Sequence, residues 1–409
     1  MKKIFILVTI LLAIHDSYAQ VDTTLLKRTP ADTGMARNLN MDAVYNRPFL
    51  QFSKIPVSLG GYVEAGYQYM GTDGITDGHS FSIPRMTIFL ASTIHPKIRF
   101  LSEIELEEGG REINIEFAAL DFVFHPMLNL RGGVIMNPIG AFNQNHDGPK
   151  WEFVDRPIAM TQMLPATWSN IGFGLYGKYF KKDWAFGYEC YLSNGFDDRI
   201  IGNSEGKTFL PASKENIERF TESSNGQPML TFKIAASNTY TGEVGISYMG
   251  GVYNKYKDDG LVIDDKRRAD VLALDYNITL PSAGTYLVAE WAWVWVQVPD
   301  TYIQQFGDRQ HGGFIDIVQP VWRKRMLGFD RAAWYVSARM EYVDWNKGIF
   351  RETGDNISED LWGFVPSISF RPTSQTVFRL NYRYMQQHDL LGNPAAITSG
   401  IQFGVSSYF

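Results

Sequence analysis

Charged side chains recur at every second position in several stretches of this sequence. Glu103, Glu105 and Glu107 are spaced two residues apart, and side chains with that spacing share one face of a β-strand. A row of carboxylates on one strand face attracts cations and sets the ionic selectivity of an aqueous path beside it. Charged residues with the same parity occur in neighbouring segments. If those segments form the wall of a barrel, this set faces its interior and lines a pore; it consists of Arg85, Arg99, Glu103, Glu105, Glu107, Asp121, Arg131, Arg339, Glu341, Arg379 and Arg383.

Two interpretations of these ionic residues stay open. In a wall of strands that spans a membrane, Arg or Lys facing lipid costs about 2–4 kcal/mol at the bilayer midplane. The charged face of each strand must therefore point away from lipid, into the interior of the wall. There the charges either line water or pair in salt bridges that stiffen the wall. Over all predicted inward positions of the strands, which also include Lys178, Lys233, Glu64, Glu116, Glu189, Glu243, Asp275 and Glu290, the acids outnumber the bases. The close basic pair is Arg379 and Arg383. The balance predicts weak, cation-leaning selectivity.

Catalytic and metal chemistry find little support in the sequence. Ser193-Asn194-Gly195 is similar to part of the site of the barrel phospholipases, but no His stands just before it, and a Ser nucleophile needs such a base. The seven His residues are scattered without metal-ligand spacing. We therefore predict no enzyme activity, no metal and no cofactor.

The elements that carry these residues read as strands joined by alternating short and long connections. Short turns are predicted at 94–97, 125–127, 181–183, 238–240, 281–284 and 371–375. Longer links are predicted at 71–79, 108–113, 138–168, 195–227, 253–266, 298–310, 345–358 and 387–394. This alternation predicts an all-β fold, a transmembrane up-and-down antiparallel β-barrel of about sixteen strands. We expect Pro84, Pro320 and Pro366 at bulges or strand ends, because proline removes a ladder hydrogen bond.

The final stretch supports the same architecture. Ile397, Ile401, Phe403 and Val405 share one parity, while polar or small residues fill the other. The stretch ends at Phe409, and it resembles the last strand of bacterial outer-membrane barrels, which ends in Phe and pairs with the first strand. Aromatic residues make up 14% of the chain, which suits girdles at the two membrane interfaces.

The beginning of the chain predicts export. Residues 1–19 have a charged start, a short apolar core and a small residue at Ala19, which is typical of a signal peptide. Residues 20–56 are polar and irregular, so we expect a periplasmic lead-in with little structure, or alternatively a small plug or partner-binding segment. Residues 57–409 form the predicted barrel. The net charge of -6 and the lack of a long Lys/Arg run argue against nucleic-acid binding.

Several motifs in the first half of the barrel resemble one family. They are Leu128-Asn129-Leu130-Arg131-Gly132-Gly133, Asn137-Pro138-Ile139-Gly140, Val154-Asp155-Arg156-Pro157, Leu164-Pro165-Ala166-Thr167 and Gly172-Phe173-Gly174-Leu175-Tyr176-Gly177. Their order resembles the phosphate-selective porin O and P family of Gram-negative outer membranes. The resemblance implies a water-filled pore in outer-membrane lipid, often a homotrimer, through which small hydrophilic solutes or ions, including phosphate and other anions, diffuse passively.

The resemblance also implies a loop folded into the lumen, which by position is residues 138–169. Its candidate constriction residues are Asn137, Pro138, Gly140, Asn143, His146, Asp155 and Arg156. Gly, Pro and Asn suit tight turns, and Trp151 and Phe153 could pack against a wall. Two alternatives stay open: the loop caps the outer surface, or it plugs the barrel together with residues 195–227 and leaves a structural module.

Overall fold

The computed structural model describes residues 26–28, 39–52, 57–300, 306–350 and 353–409. The predicted signal peptide lies outside these ranges, as does much of the predicted lead-in. Among the described residues, no helix is both long enough and apolar enough to cross a membrane.

Within the described ranges, sixteen antiparallel strands form one closed barrel. Each strand pairs with the next, and the last pairs with the first from Thr398↔Thr72 to Tyr408↔Tyr62. The predicted fold class and strand number are therefore confirmed. The strands are β1 Val57–Thr72, β2 in two segments Ile75–Ser82 and Arg85–His95, β3 Ile98–Glu107, β4 Glu112–His125, β5 Leu128–Met136, β6 Ser169–Lys181, β7 Trp184–Ser193, β8 Met229–Asn238, β9 Gly242–Val252, β10 Arg268–Thr279, β11 Tyr286–Val296, β12 Arg309–Met326, β13 Phe329–Asp344, β14 Asp360–Thr373, β15 Thr376–Gln387 and β16 Ala396–Tyr408.

Side chains alternate between the two faces of the wall. In β9, Glu243 and Ser247 are buried on the inner face, whereas Val244 and Ile246 are exposed on the outer face. In β11, Glu290 is buried inside and Trp295 is exposed outside. The outer face is thus apolar and the inner face polar, the arrangement that a strand period of two produces when only one face meets water.

One predicted link is much tighter than expected. Residues 71–79 are not a loop, because β1 and β2 continue to a turn at Asp73 and Gly74, which have φ of 51° and 83°. Asp-Gly readily takes positive φ at both central positions of a two-residue hairpin. The connection between β12 and β13 is also a two-residue turn, at Leu327 and Gly328.

The prolines follow the expectation in two cases and not in the third. Pro84 separates the two segments of β2, and Pro320 lies at a register shift between β12 and β13. Pro366 stays in register opposite Ala338 in the middle of β14, so the expectation of a bulge or strand end is wrong there.

Two segments of the described chain are packed against the inner wall, and Phe196, Ile200 and Leu210 of the connection between β7 and β8 pack in the same buried cluster as the first of them. The lumen loop, residues 137–168, joins β5 to β6 and contains helical turns at Asn143–Asn145, Gly148–Lys150 and Ala159–Met163. The strap, residues 39–50, begins with a helical turn at Asn40–Asp42 and ends where Leu50 pairs with Leu59 of β1. Leu39, Val44, Arg47 and Phe49 are buried, so this part of the lead-in is packed into the barrel rather than lacking structure.

Candidate functional site in the barrel lumen

The predicted pore-lining residues share the inner face of the wall. Most are buried, namely Glu103, Glu105, Asp121, Arg131, Arg339, Glu341, Arg379 and Arg383. Arg85 and Glu107 are partly exposed, each with 20% of its side chain accessible. Arg99 has the same parity as Glu103 but is exposed near the end of β3 where the short turns lie.

These wall charges contact one another. Arg131 Nε lies 2.7 Å from Asp121 Oδ1, and Arg339 Nη2 lies 2.7 Å from Asp316 Oδ2. Arg85 Nη1 lies 2.6 Å from Glu64 Oε2. Salt-bridged pairing, the second interpretation of the ionic pattern, therefore describes these residues in the present conformation.

Glu290 of β11 anchors the first turn of the lumen loop. Its Oε2 accepts hydrogen bonds from the backbone N–H groups of Ala141 and Phe142, both at 2.9 Å. Beside it, Lys233 Nζ donates to the Gly140 carbonyl at 2.6 Å. Gly140 has φ of 65°, and a Cβ added there would lie 1.7 Å from Glu290 Oε1. A side chain at this position would therefore collide with the anchor.

A later part of the loop, residues 152–155, is held by arginines of β13 to β15. Arg371 Nε lies 2.6 Å from Glu152 Oε1. Arg379 Nη1 donates to the Phe153 carbonyl at 2.8 Å. Arg339 Nη1 donates to the Asp155 carbonyl at 2.8 Å. The loop begins and ends at β5 and β6 and reaches β13 to β15, about half of the barrel away, so it crosses the lumen.

Asp155 and Arg156 meet the predicted wall residues directly. Arg383 contacts the Asp155 carboxylate and also lies 3.1 Å from Glu341 Oε1. Arg156 Nη2 lies 3.2 Å from Glu105 Oε1. The Asp155 side chain remains 42% exposed, so it borders water-accessible space, whereas Glu341 does not.

Asn143 joins the two ends of the lumen loop. Its Nδ2 donates to the carbonyls of Asn137 at 2.7 Å and Trp168 at 2.9 Å. Its Oδ1 accepts from the Trp168 N–H at 2.8 Å. Pro138 and Asn137 are buried at the start of the loop. Asn143 therefore fixes the shape of the loop and lies away from open water.

Glu103, His146 and Asp147 form a buried group with metal-ligand chemistry. Their ligand atoms all lie within 4.8 Å of one another, and His146 Nε2 lies 3.1 Å from Glu103 Oε1. Arg47 Nη2 lies 2.8 Å from Glu103 Oε2 and 2.6 Å from Asp147 Oδ1. This guanidinium already supplies positive charge to both carboxylates, and a bound cation would be repelled by it.

Little free volume remains along the seam between loop and wall. A cavity lined by Glu64, Arg85 and Asp155 has about 10 Å³, as does a second lined by Ile139 and Glu290. Such a volume holds at most about one water molecule. At these two places the lumen is closed in this conformation.

Sequence reasoning missed several residues that build the site. They are Asn40, Tyr45 and Arg47 of the strap, and Asp147 and Glu152 of the lumen loop. The sequence contains only a weak indication that the strap is buried. Leu39, Met41, Val44 and Phe49 are apolar residues within an otherwise polar lead-in, and apolar residues there indicate burial.

The comparisons with known proteins identify the class of fold. No family model matches the sequence. An uncharacterized protein of Aquifex aeolicus (strain VF5) is 35% identical over 146 residues, which are 34% of this chain and 32% of that protein. The match therefore spans about a third of the length of that relative.

Solved structures resemble the barrel at low sequence identity. The anion-selective porin from Comamonas acidovorans has a TM-score of 0.54 at 11% identity, covering 86% of this chain and 99% of that one. Pseudomonas putida OprB has a TM-score of 0.52 at 10% identity, covering 86% and 93%. The outer membrane channel DcaP of Acinetobacter baumannii has 0.51 at 11%, covering 86% and 97%. The chain therefore has the fold of the Gram-negative outer-membrane porins. These likenesses do not single out the phosphate-selective porin O and P family.

Proposed function

We propose that this chain is an outer-membrane channel for passive diffusion of small hydrophilic solutes or ions. One observation carries the proposal: a closed barrel has an apolar outer face and an ionic inner face. An apolar belt suits lipid, and ionic side chains facing the lumen suit a polar path. Two barrels of similar fold are an anion-selective porin and an outer membrane channel, which supports the same activity.

The orientation and assembly belong to the same proposal. Short turns lie in the periplasm and long connections outside the cell, as is usual for outer-membrane barrels. Residues 1–19 direct export. The predicted homotrimer is supported by the resemblance in motif and is tested by cross-linking in detergent.

The lumen loop is the proposed constriction. Asn137, Pro138, Gly140 and Asn143 shape it, while His146, Asp155 and Arg156 bring it against wall carboxylates and arginines. Of these, Asp155 borders water-accessible space. Solute would pass where the loop separates from the wall.

We propose weak selectivity in place of phosphate specificity. A phosphate path needs free basic side chains that replace the hydration of the anion. Here Arg379 Nη2 lies 3.3 Å from Glu64 Oε1, and Arg383 contacts both Asp155 and Glu341. These acids neutralise the close basic pair on which anion selectivity would depend.

A second candidate function is a plugged structural or interaction barrel. The observation that favours it is the tight seam, where the cavities between loop and wall have about 10 Å³. In that case the loop never leaves the wall and no solute passes.

Liposome swelling separates these two functions. Liposomes that contain the purified, folded protein are diluted into isotonic solutions of a small sugar. A diffusion channel gives swelling at a rate that falls as the sugar becomes larger, and heat-denatured protein is the matched control. Swelling no faster than in the control would favour the plugged barrel.

A further inference from the structure

The strap crosses the lumen at the short-turn end. We propose that residues 39–50 are an autoinhibitory closure of the channel, which conducts only when the strap leaves its seat. This inference rests on the proposed diffusion function. The occupant of the lumen mouth is thus a segment of the same chain.

The two ends of the strap contact opposite walls. The Asn40 N–H donates to Glu243 Oε2 at 3.0 Å, and Asn40 Nδ2 donates to Asp275 Oδ1 at 3.2 Å, which places this end on β9 and β10. At the other end, Phe49 packs on Phe89 of β2 with ring centroids 6.2 Å apart. In a closed barrel of sixteen strands, β9 is eight strands from β1 in either direction. The strap therefore spans the lumen along a diameter.

Side contacts hold the middle of the strap. The Tyr45 hydroxyl is hydrogen-bonded to Asp121 of β4 and Arg131 of β5. Lys178 of β6 is paired with Asp42. The strap therefore fills the part of the lumen next to β4, β5 and β6, in addition to the line between β9 and β1.

Arg47 fastens the strap to the lumen loop. Its guanidinium binds Asp147 through two hydrogen bonds, 2.6 Å and 3.0 Å long, and lies 2.8 Å from Glu103 Oε2. The Arg47 and Asp147 side chains are both fully buried. Movement of the strap away from the wall must therefore break this ion pair, and movement of the loop must break it as well.

Small wall residues leave room for the apolar end of the strap. A Cβ added at Gly187 of β7 would lie 2.6 Å from Leu39 Cδ1 and 2.7 Å from Met41 Sδ. Leu39 and Met41 pack there with Tyr176 and Ala185. The glycine forms a seat in the wall that fits the strap.

The strap can leave without opening the barrel. Within the strap, residues 39–50, the β-ladder contact with the wall is at Leu50, which pairs with Leu59 of β1. The ladders that close the wall join the sixteen strands to one another. Loss of the strap contacts therefore leaves the closed wall complete, which is what a reversible closure requires.

A disulfide that locks the strap to its seat tests the inference. Leu39→Cys and Gly187→Cys are combined in a Cys190→Ser background, which removes the single native cysteine. A Cβ added at Gly187 would lie 2.6 Å from Leu39 Cδ1, so thiols at the two positions come within reach of each other; a disulfide requires Cβ atoms about 3.5–4.5 Å apart. Disulfide formation is confirmed by thiol titration, and folding by heat-modifiable migration in gels. The readout is single-channel current in planar bilayers.

We expect the reduced double variant to conduct and the oxidised form to lose its openings, which reductant then restores. Each single-cysteine variant should give the same current before and after treatment with the oxidant. Arg47→Ala should open more often than the native protein, because its strap is less firmly held. Equal current in the oxidised and reduced double variant would overturn the inference and leave the channel function standing. Absence of current in all folded variants, including Arg47→Ala, would instead count against the channel function.

Discussion

Arg47 of the strap and Asp147 of the lumen loop form a buried ion pair with two hydrogen bonds, from Nη2 to Oδ1 at 2.6 Å and from Nε to Oδ2 at 3.0 Å. The Tyr408 hydroxyl of β16 also donates to Asp147 Oδ2 at 2.7 Å. One carboxylate thus links three separate parts of the chain. A buried charge that loses its partner raises the free energy of the protein. The strap and the lumen loop should therefore leave the wall together.

Acid should detach the strap only at unusually low pH. Burial alone would raise the pKa of Asp147, but Arg47, Lys150 and His146 beside it hold that pKa well below its ordinary value. A depressed carboxyl pKa adds stability that is present above the unfolded pKa and is lost as the pH falls through the folded pKa. Protection of residues 39–50 from hydrogen exchange should therefore stay constant from neutral pH down to about 4, the ordinary Asp range.

The matched control for the pH experiment is Asp147→Asn, which removes the titrating group. Its strap should be less protected at neutral pH, because a buried ion pair that loses one partner costs about 3–5 kcal/mol. Loss of protection in the native protein between neutral pH and about 5 would contradict the assignment, since an Asp with a depressed pKa stays ionised there.

Shortening the lumen loop should enlarge the conducting path. Deletion of Asn143–Lys150 removes Asn143, which ties the loop ends together, and Asp147, which holds the strap. We expect a larger single-channel conductance than in the native protein. Deletion of 257–262, the small hairpin between β9 and β10, is the control and should leave conductance unchanged. If both deletions behave alike, the loop is not the constriction.

Phosphate should not block the chloride current. Arg379 and Arg383 are engaged by Glu64, Asp155 and Glu341, so they do not offer a free anion site. Titration of phosphate into a chloride solution during planar-bilayer recording measures this, with sulfate as the control anion. Block by phosphate at low concentration, without block by sulfate, would show that these arginines bind anions despite their acidic partners.

A charge on the outer face should destabilise the barrel in lipid. Ile401 of β16 is exposed and opposite Tyr69 of β1, so Ile401→Arg should lower the free energy of unfolding by about 2–4 kcal/mol if it lies near the midplane. Urea unfolding in lipid vesicles measures the change. Ile217→Arg, at a 91% exposed position between β7 and β8, should change it little. Equal effects of the two substitutions would show that Ile401 does not face lipid.

The wall could be predicted from the sequence because its signals are local. Inward charge and outward apolar side chains repeat every two residues, and Gly, Pro and Asn mark connections. The same local reading misjudged Asp73-Gly74, since Gly71 and Gly78 beside it resemble loop residues. It also misjudged Pro366, which stays in its strand.

The contacts inside the lumen could not be predicted in this way. Arg47 and Asp147 are 100 residues apart in the chain, and neither the strap nor the lumen loop has a period that shows which wall residue it meets. Glu290 and Arg371 become anchors only because the path of the loop brings Phe142 and Glu152 to them. That path depends on the register of the whole barrel.

Single-channel recording of the purified protein in a planar bilayer tests the central claim, that this barrel is a diffusion channel, most directly. The native protein and Arg47→Ala are reconstituted under identical conditions after their folding is checked by heat-modifiable migration. We predict discrete conductance steps from both, with more frequent openings in Arg47→Ala and only weak preference between cations and anions. Folded, inserted protein that gives no steps from either form would contradict the account.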